Sequence, residues 1–176
     1  MRSIFFSAAI FATLLFFVGC DNQKQQETKK EKTLFENNTE PNDWIGGETI
    51  KERPNAHSGK SVSITDTVNQ YSLGFCRLAG TSCEEKIKKI TFSYWVLFKN
   101  ASCKANSVLS IDAGSKNIYW HGTQIQDRVK GFNKWVQIIE VFDIPVDVEP
   151  EHTIKLYVWN TSKEEVLVDD LQISFN

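Results

Sequence analysis

The sequence predicts an all-β domain over residues 33–176, built as a two-sheet sandwich or a barrel. Apolar and polar residues alternate with a period of two in several short segments, as in strands with one buried face. Turn-forming residues separate these segments, and no stretch of about twelve residues keeps a helical period. Many short strands with such breaks are typical of sandwiches and barrels. The predicted strands cover residues 33–37, 61–65, 70–76, 87–99, 106–112, 117–121, 135–141, 153–159 and 166–175.

The composition is that of a folded globular domain, and it argues against one class of partner. Hydrophobic residues make up 41% of the chain and charged residues 24%, which is enough apolar material for a packed core. The formal net charge is -2. A nucleic-acid binder needs a basic surface, so we expect no nucleic-acid partner.

The N-terminal residues 1–19 have the layout of a bacterial lipoprotein signal peptide. Arg2 is followed by an apolar run that ends at Gly19 and Cys20, and this run is short for a membrane span. Phe17-Val18-Gly19-Cys20 resembles a lipobox, which predicts cleavage before Cys20 and acylation of that cysteine, for example with palmitate. A plain signal peptide with a chance cysteine and an uncleaved anchor helix are the alternatives.

Residues 20–32 are expected to form a disordered tether between this lipidated cysteine and the domain. The stretch after Cys20, DNQKQQETKKEK, has no apolar residue and cannot join a core. We therefore expect a bacterial membrane lipoprotein whose domain faces away from the cytoplasm, with the outer membrane or cell surface as the favoured location.

Three cysteines remain in the domain if Cys20 is acylated, namely Cys76, Cys83 and Cys103. An oxidising compartment permits a disulfide, and a Cys76–Cys83 bond would close a short loop and stabilise it by about 2–3 kcal/mol. The alternative is that all three are small buried apolar residues.

Two acidic residues fall on predicted apolar faces near the two ends of the domain. Asp169 alternates with Leu167 and Leu171 in the last predicted strand, and Glu36 shares a face with Leu34 in the first. Buried carboxylates must be neutralised. If the two strands are neighbours, a bound Ca²⁺ would satisfy both acids; protonation, or pairing with Lys or Arg, are the alternatives.

Four stretches taken together resemble the galactose-binding-like jelly-roll domains, which include carbohydrate-binding modules of families 4 and 22. This resemblance covers nearly all of residues 33–176 and implies a two-sheet antiparallel jelly roll. Segments 118–120 and 156–160 also look like domains common in lipoproteins of Bacteroidetes-type bacteria. The four stretches are Phe35-Glu36, the HSGKS sequence at 57–61, Trp135 with the following Ile144-Pro145, and Val168-Asp169-Asp170-Leu171.

The resemblance implies a structural calcium between the first strand, the last strand and the loop ahead of the second strand. Glu36 and Asp169 match the acidic positions, and Asp170 could assist or replace Asp169. Backbone carbonyls around His57 and Lys60 match the loop, although some relatives carry an acid where His57 stands.

The resemblance also implies sugar binding by aromatic side chains that lie flat against a pyranose ring, with polar groups at the rim. Trp120 is the first candidate because it precedes a polar stretch that could expose it, and Trp44 is the second. The alternative for any of these tryptophans is a place in the core. The other candidates are Trp95, Tyr157 and Trp159, with His121, Gln124 and Asn160 nearby.

The sequence contains no motif that indicates an enzyme. A nucleophile elbow, a phosphate-binding loop and an HExxH motif are all missing. Asp169 and Asp170 are adjacent, so a strand would direct them to opposite faces, which does not suit glycosidase chemistry. We therefore expect a non-catalytic, lipid-anchored binding module for carbohydrate; the alternative is a protein-interaction or envelope-assembly lipoprotein that uses the same β-sandwich.

Overall fold

The structure, a computed structural model, describes residues 33–40 and 44–176. The predicted signal peptide, Cys20 and the tether all lie outside the described residues. In the described part, no helix has the length and apolar character needed to cross a membrane. The strands are β1 (Leu34–Asn37), β2 (Ile50–Glu52), β3 (Ser61–Thr65), β4 (Phe75–Leu78), β5 (Lys89–Phe98), β6 (Ala105–Ala113), β7 (Lys116–Gln124), β8 (Trp135–Asp143), β9 (Thr153–Asn160) and β10 (Val166–Phe175), and the helices are a 3-10 turn (Gly47–Thr49) and α1 (Ala79–Ser82).

The strands form two antiparallel sheets, which confirms the predicted fold class. One sheet has the order β2-β3-β10-β5-β8, and β1 pairs with β10 beside β3. The other sheet has the order β4-β9-β6-β7. The first and last strands are therefore neighbours, as the sequence predicts.

The core lies between the two sheets and is filled in the regular central strands by every second side chain. In β9, Ile154, Leu156 and Val158 are fully buried, whereas the alternate residues Tyr157 and Trp159 are only partly buried. This is the alternation predicted from the sequence, and it follows from the pleat of a strand with one covered face. Each fully buried aliphatic side chain of this kind contributes about 1.5–3 kcal/mol.

A β-bulge in β10 changes which residues face the core, and it corrects the predicted face of Asp169. The pairing of β10 with β5 shifts between Asp169 and Gln172, and Asp170 has a φ of 47°. One extra residue reverses the alternation, so Val168 and Leu171 both face the core. Asp169 instead lies on the outer face of the six-stranded sheet, on the same side as Leu167. Leu167 belongs to a second apolar cluster there, together with Val62, Ile64 and Leu97.

Other boundaries also differ from the sequence prediction. The strand expected over residues 70–76 is β4 at Phe75–Leu78, and Tyr71 joins the sheet only through an isolated bridge to Trp159. Helix α1 is a single turn that ends at Ser82. The short strand β2 was not predicted, because its three residues have no clear alternation.

Candidate functional site

The outer face of the four-stranded sheet carries four aromatic side chains, Tyr71, Trp120, Tyr157 and Trp159, which we call the aromatic face. Tyr157 and Trp159 point outward because their neighbours in β9 fill the core. Trp120 comes from β7, and Tyr71 meets Trp159 through its bridge. Three cross-strand rows form the face: Trp120–Ser110–Lys155, Gly122–Val108–Tyr157 and Gln124–Asn106–Trp159.

The four rings contact one another as a continuous cluster. The Trp159 ring centroid lies 6.3 Å from that of Tyr71, with planes 27° apart, and 6.3 Å from that of Trp120, with planes 78° apart. Tyr71 and Tyr157 are 5.5 Å apart and perpendicular. These are favourable aromatic geometries. Tyr71 is still 54% exposed and Trp120 is 49% exposed, so the cluster presents ring surface to solvent.

Gly122 provides the space in which the Trp120 ring lies. A Cβ atom at Gly122 would stand 2.5 Å from Cη2, 3.1 Å from Cζ2 and 3.3 Å from Cζ3 of Trp120. The six-membered part of the indole therefore lies directly over the backbone of the glycine two residues along the same strand. Val108, beside Gly122 in the neighbouring strand, is fully buried although it points to the outer face, because the aromatic side chains cover it.

The segment that carries Tyr71 is held by both sheets. The Leu73 N–H donates to Ser63 Oγ of β3 at 2.8 Å, and Val158 N–H of β9 donates to Ser72 Oγ at 2.9 Å. Ser63, Ser72 and Leu73 are buried, where such hydrogen bonds are costly to break. Tyr71 is thus fixed in place although it lies outside the regular strands.

A polar rim borders the aromatic face along one side. Lys155 Nζ lies 2.8 Å from Asp112 Oδ2, and Asn117 Nδ2 donates to Asp112 Oδ1 at 2.8 Å. Burial alone would raise the pKa of Asp112, but the hydrogen bonds from Lys155 and Asn117 outweigh it and lower this pKa. The hydrogen bond to Asp112 raises the pKa of Lys155. Both groups are therefore ionised near neutral pH.

Two shallow grooves flank Tyr71 and extend the aromatic face. One, of about 330 Å³, is lined by Ile45, Gly46, Glu48, Tyr71, Ser72 and Tyr157. The other, of about 300 Å³, lies beside Thr67–Tyr71 and shares Glu48 and Tyr71 with the first. The Tyr71 ring therefore forms a ridge between two concave surfaces, each bordered by the Glu48 side chain.

The structure brings together some of the predicted ligand-binding residues and separates others. Trp120, Tyr157, Trp159 and Gln124 share the aromatic face. His121 does not, because it follows Trp120 in the strand and points to the opposite side, where its ring contacts those of Tyr119 and Phe142.

Trp44 is a core residue, and its predicted role in ligand binding is wrong. It is 7% exposed and its ring meets Phe75 edge-to-face at 5.7 Å. Tyr71 was missed by the sequence analysis, since its exposure depends on an isolated bridge and not on a strand pattern. Asn160, also suggested as a neighbour, is buried and donates to the Glu164 carbonyl.

The buried carboxylate of Asp169 is satisfied by hydrogen-bond donors. Its oxygens accept bonds from the Thr39 hydroxyl and from the backbone N–H groups of His57, Ser58 and Asp170. The His57 N–H lies 2.8 Å from Oδ2. Burial raises the pKa of Asp169, while the bonds from Thr39 and Ser58 act in the opposite direction. This carboxylate therefore fixes the 53–60 loop against the outer face of the six-stranded sheet.

Aromatic contacts support the same loop. The imidazole of His57 stacks on Trp95, with ring centroids 3.9 Å apart, and His57 Nδ1 lies 2.5 Å from Asp170 Oδ2. Trp135 Nε1 donates to the Asn55 carbonyl at 2.9 Å. Trp95 thus has its ring covered by the loop, on the sheet opposite the aromatic face.

The predicted calcium ligands do not assemble into a coordination site. Glu36 is exposed and pairs with Gln172, because the antiparallel register places it three residues away from the position opposite Asp169. The Lys60 carbonyl accepts the Arg53 N–H, and the Asp170 oxygens meet His57 and Ser58. The described ranges contain no group of three or more His, Cys, Asp or Glu residues arranged to hold a metal. Calcium binding by the domain stays a prediction, but Glu36 does not lie where it could share a cation with Asp169.

The predicted Cys76–Cys83 disulfide is absent, and both thiols are free. Cys76 pairs with Lys155 on the outer side of β4, whereas Cys83 packs against the core after α1. Because the two side chains lie on different sides of the sheet, a bond would require the backbone to move. Cys103 is a buried free cysteine.

Comparisons with known proteins find similar structures but no similar sequences. No protein-family model matches the chain, and no curated protein sequence matches it. The second family 22 xylan-binding domain of Paenibacillus barcinonensis Xyn10C has a TM-score of 0.55 and 14% identity, covering 81% of this chain and 99% of that domain.

Two further structures give the same result. The C-terminal family 22 carbohydrate-binding module of Clostridium thermocellum Xyn10B has a TM-score of 0.56 and 14% identity, over 80% of this chain and 92% of the module. A further family 22 xylan-binding domain has a TM-score of 0.55 and 15% identity, over 80% and 93%. The chain has the jelly-roll fold of these carbohydrate-binding modules. The resemblance noted in the sequence is thereby confirmed at the level of the fold.

Proposed function

We propose that this protein is a lipid-anchored, extracytoplasmic and non-catalytic module that binds glycans at its aromatic face. The observation that carries this proposal is the pair of half-exposed rings, Trp120 and Tyr71, held on one sheet face beside polar side chains. The structural neighbours supply a first ligand to test, because three of them are family 22 modules and two of these are named as xylan-binding.

The arrangement suits an uneven surface such as a sugar chain. The apolar C–H face of a pyranose packs on an aromatic ring, and its hydroxyl groups exchange hydrogen bonds with nearby amides and carboxylates. Trp120 and Tyr71 offer the rings, and the grooves beside Tyr71 offer concave room. Gln124 and Asn106, at the end of the row that contains Trp159, offer amide groups for the hydroxyls.

The ionisation state of Asp112, beside the aromatic face, supports a binding role and not a catalytic one. A glycosidase needs a carboxyl group whose pKa is raised so that it can act as a general acid. The pKa of Asp112 is lowered instead, and its oxygens are occupied by Lys155 and Asn117. Asp112 is therefore a poor proton donor at neutral pH.

The membrane anchor is proposed from the sequence at Gly19-Cys20. Each buried lipid CH₂ contributes about 0.8 kcal/mol, so two or more acyl chains on Cys20 would hold the protein firmly on a bilayer. A Cys20→Ser variant expressed in a bacterial host should leave the membrane fraction and fail to incorporate labelled palmitate. Unchanged palmitate labelling of Cys20→Ser would contradict the proposed anchor, and the proposal of glycan binding would still stand.

A glycan screen with matched aromatic variants tests the binding proposal. The purified protein is titrated calorimetrically with xylan and with a panel of other polysaccharides, together with Trp120→Ala and Phe132→Ala. Phe132 is 45% exposed but lies beside the six-stranded sheet, where Asn133 N–H bonds Phe98. We expect Trp120→Ala to weaken binding at least tenfold, or about 1.4 kcal/mol, and Phe132→Ala to leave it unchanged. A wild-type protein that binds no glycan in the panel would contradict the proposal and favour a protein partner.

A further inference from the structure

The two charges at the Lys155 end of the aromatic face cancel one another. The charged side chains that influence the Tyr157 hydroxyl are Lys155 and Asp112, which have opposite signs. Lys155 occupies the row of Trp120 and Ser110, and it precedes Tyr157 by two residues on the same face of β9. This lysine is thus well placed to meet a bound ligand, yet Asp112 already holds its ammonium group.

The Lys155–Asp112 pair is supported from several sides. Asn117 donates to both Ser110 Oγ and Asp112 Oδ1 at 2.8 Å, so the carboxylate is oriented by a neutral partner as well as by the lysine. The pKa shifts of Asp112 and Lys155 both favour the ionised forms. The pair therefore persists at neutral pH and presents no net charge to a ligand.

On the other side of the aromatic face, Glu48 lines both grooves beside Tyr71. Its carboxylate adds negative charge where a sugar chain would leave the ring of Tyr71. A glycan that carries uronic acids would meet this carboxylate at one end and a neutralised lysine at the other. Like charges brought together at a binding surface cost affinity.

We propose that the aromatic face selects uncharged glycans and that Asp112 sets this selectivity by neutralising Lys155. The inference rests on the proposed glycan-binding function and adds a ligand class to it. Asp112 acts through Lys155, so it is a positioning residue. Without the carboxylate, Lys155 becomes a free cation in the row of Trp120 and on the same face as Tyr157. There it can pair with a ligand carboxylate through charge-assisted hydrogen bonds.

The variant Asp112→Asn tests this directly. Asparagine keeps the shape and one acceptor oxygen, so the hydrogen bond from Asn117 can persist while the negative charge is lost. We expect binding of an acidic glycan to rise about tenfold, because hydrogen bonds between charged partners are roughly twice as strong as neutral ones. Binding of a neutral glycan should stay within about twofold. The gain should shrink when the salt concentration rises from about 0.01 M to about 1 M, since salt screens exposed charges.

The experiment compares two probes, a neutral arabinoxylan and a glucuronic-acid-substituted xylan of matched length, with affinities from calorimetry. The matched control is Asp143→Asn, which removes a carboxylate from the exposed Lys89–Asp143 ion pair of the other sheet. The double variant Asp112→Asn/Lys155→Gln should lose the gain. Lys155→Gln alone, which does not depend on the folding of Asp112→Asn, should weaken acidic-glycan binding further because Asp112 is then an unpaired carboxylate.

Each outcome separates the inference from the proposed function. Wild-type binding of the neutral probe with an Asp112→Asn gain for the acidic probe supports the inference. If the wild type binds the neutral probe, but the ratio of acidic-probe to neutral-probe affinity is unchanged in Asp112→Asn and in Lys155→Gln, the inference alone is overturned. A wild-type preference for the acidic probe also overturns it, and leaves glycan binding intact. Binding of neither probe, with no other glycan bound, overturns both.

Discussion

Replacement of Asp169 by alanine should destabilise the domain by removing the acceptor that holds the 53–60 loop. The Thr39 side chain and the backbone N–H of His57 would lose their partner, and Thr39 is fully buried. A buried donor left unsatisfied costs about 1–3 kcal/mol. Thr39 is such a donor, and the His57 N–H is part-buried, so the loss of both partners costs about 2–5 kcal/mol. Loss of the carboxylate also removes its desolvation penalty, which is the main cause of its raised pKa. The net loss in free energy of unfolding should therefore be about 2–4 kcal/mol.

Calorimetric or circular-dichroism melting of wild type and Asp169→Ala measures this loss. For a domain of this size, about 1 kcal/mol changes the melting temperature by about 2–4 °C, so we expect a decrease of about 10 °C. The matched control is Asp66→Ala. Asp66 Oδ1 also accepts two backbone N–H groups, from Val68 and Asn69, but in an exposed turn where water can replace it, so its loss should cost less than about 1 kcal/mol.

Two results would refute this reasoning. If Asp169→Ala melted within about 2 °C of wild type, the hydrogen bonds to its carboxylate would not hold the loop. If it melted lower but no lower than Asp66→Ala, burial would not be the cause. The same melts with added calcium and with chelator test the predicted cation. A decrease in wild-type melting temperature on chelation, absent in Asp169→Ala, would show that a metal binds at Asp169 after all.

Two further predictions concern the aromatic face. Gly122→Ala should weaken glycan binding several-fold, because the new Cβ would stand 2.5 Å from Cη2 of Trp120 and would displace that ring. The melting temperature should change little, since the ring lies at the surface. A large loss of stability that accompanies the loss of binding would contradict this prediction. The lowered pKa of Asp112 stabilises the fold above its unfolded pKa of about 3.8, and this stability is lost as pH falls through the lower folded pKa. The melting-temperature difference between wild type and Asp112→Asn should therefore be larger at pH 7 than at about pH 2.5, and an equal difference at both would contradict the ion pair.

The two-residue alternation predicted the parts of the molecule that depend on a regular strand. Tyr157 and Trp159 lie outside and Leu156 lies in the core, because β9 has regular neighbours on both sides. The same rule failed for Asp169, since one inserted residue at the bulge reverses every later position. Nothing in the local pattern of Val168 to Leu171 distinguishes a bulged strand from a regular one.

The register between strands and the packing of irregular segments were also beyond the sequence. Glu36 and Asp169 were correctly placed on neighbouring strands, but the offset that puts Gln172 opposite Glu36 depends on the whole sheet. Tyr71 depends on hydrogen bonds between segments far apart in the chain. The sequence alone does not distinguish Trp44 from Trp120. Trp44 is buried because its ring packs against Phe75, whereas the Trp120 ring lies over Gly122 at the surface.

The double attachment of the segment next to Tyr71 has a consequence for the thermodynamics of recognition. Ser63 and Ser72 fasten this segment to both sheets before any ligand arrives, so little backbone freedom remains to be lost on association. Preorganised surfaces of this kind forfeit less conformational entropy when they bind. More of the free energy of each weak sugar contact then remains as affinity. Successive units of a polymer can also replace one another on the Tyr71 ring without a rearrangement of the protein.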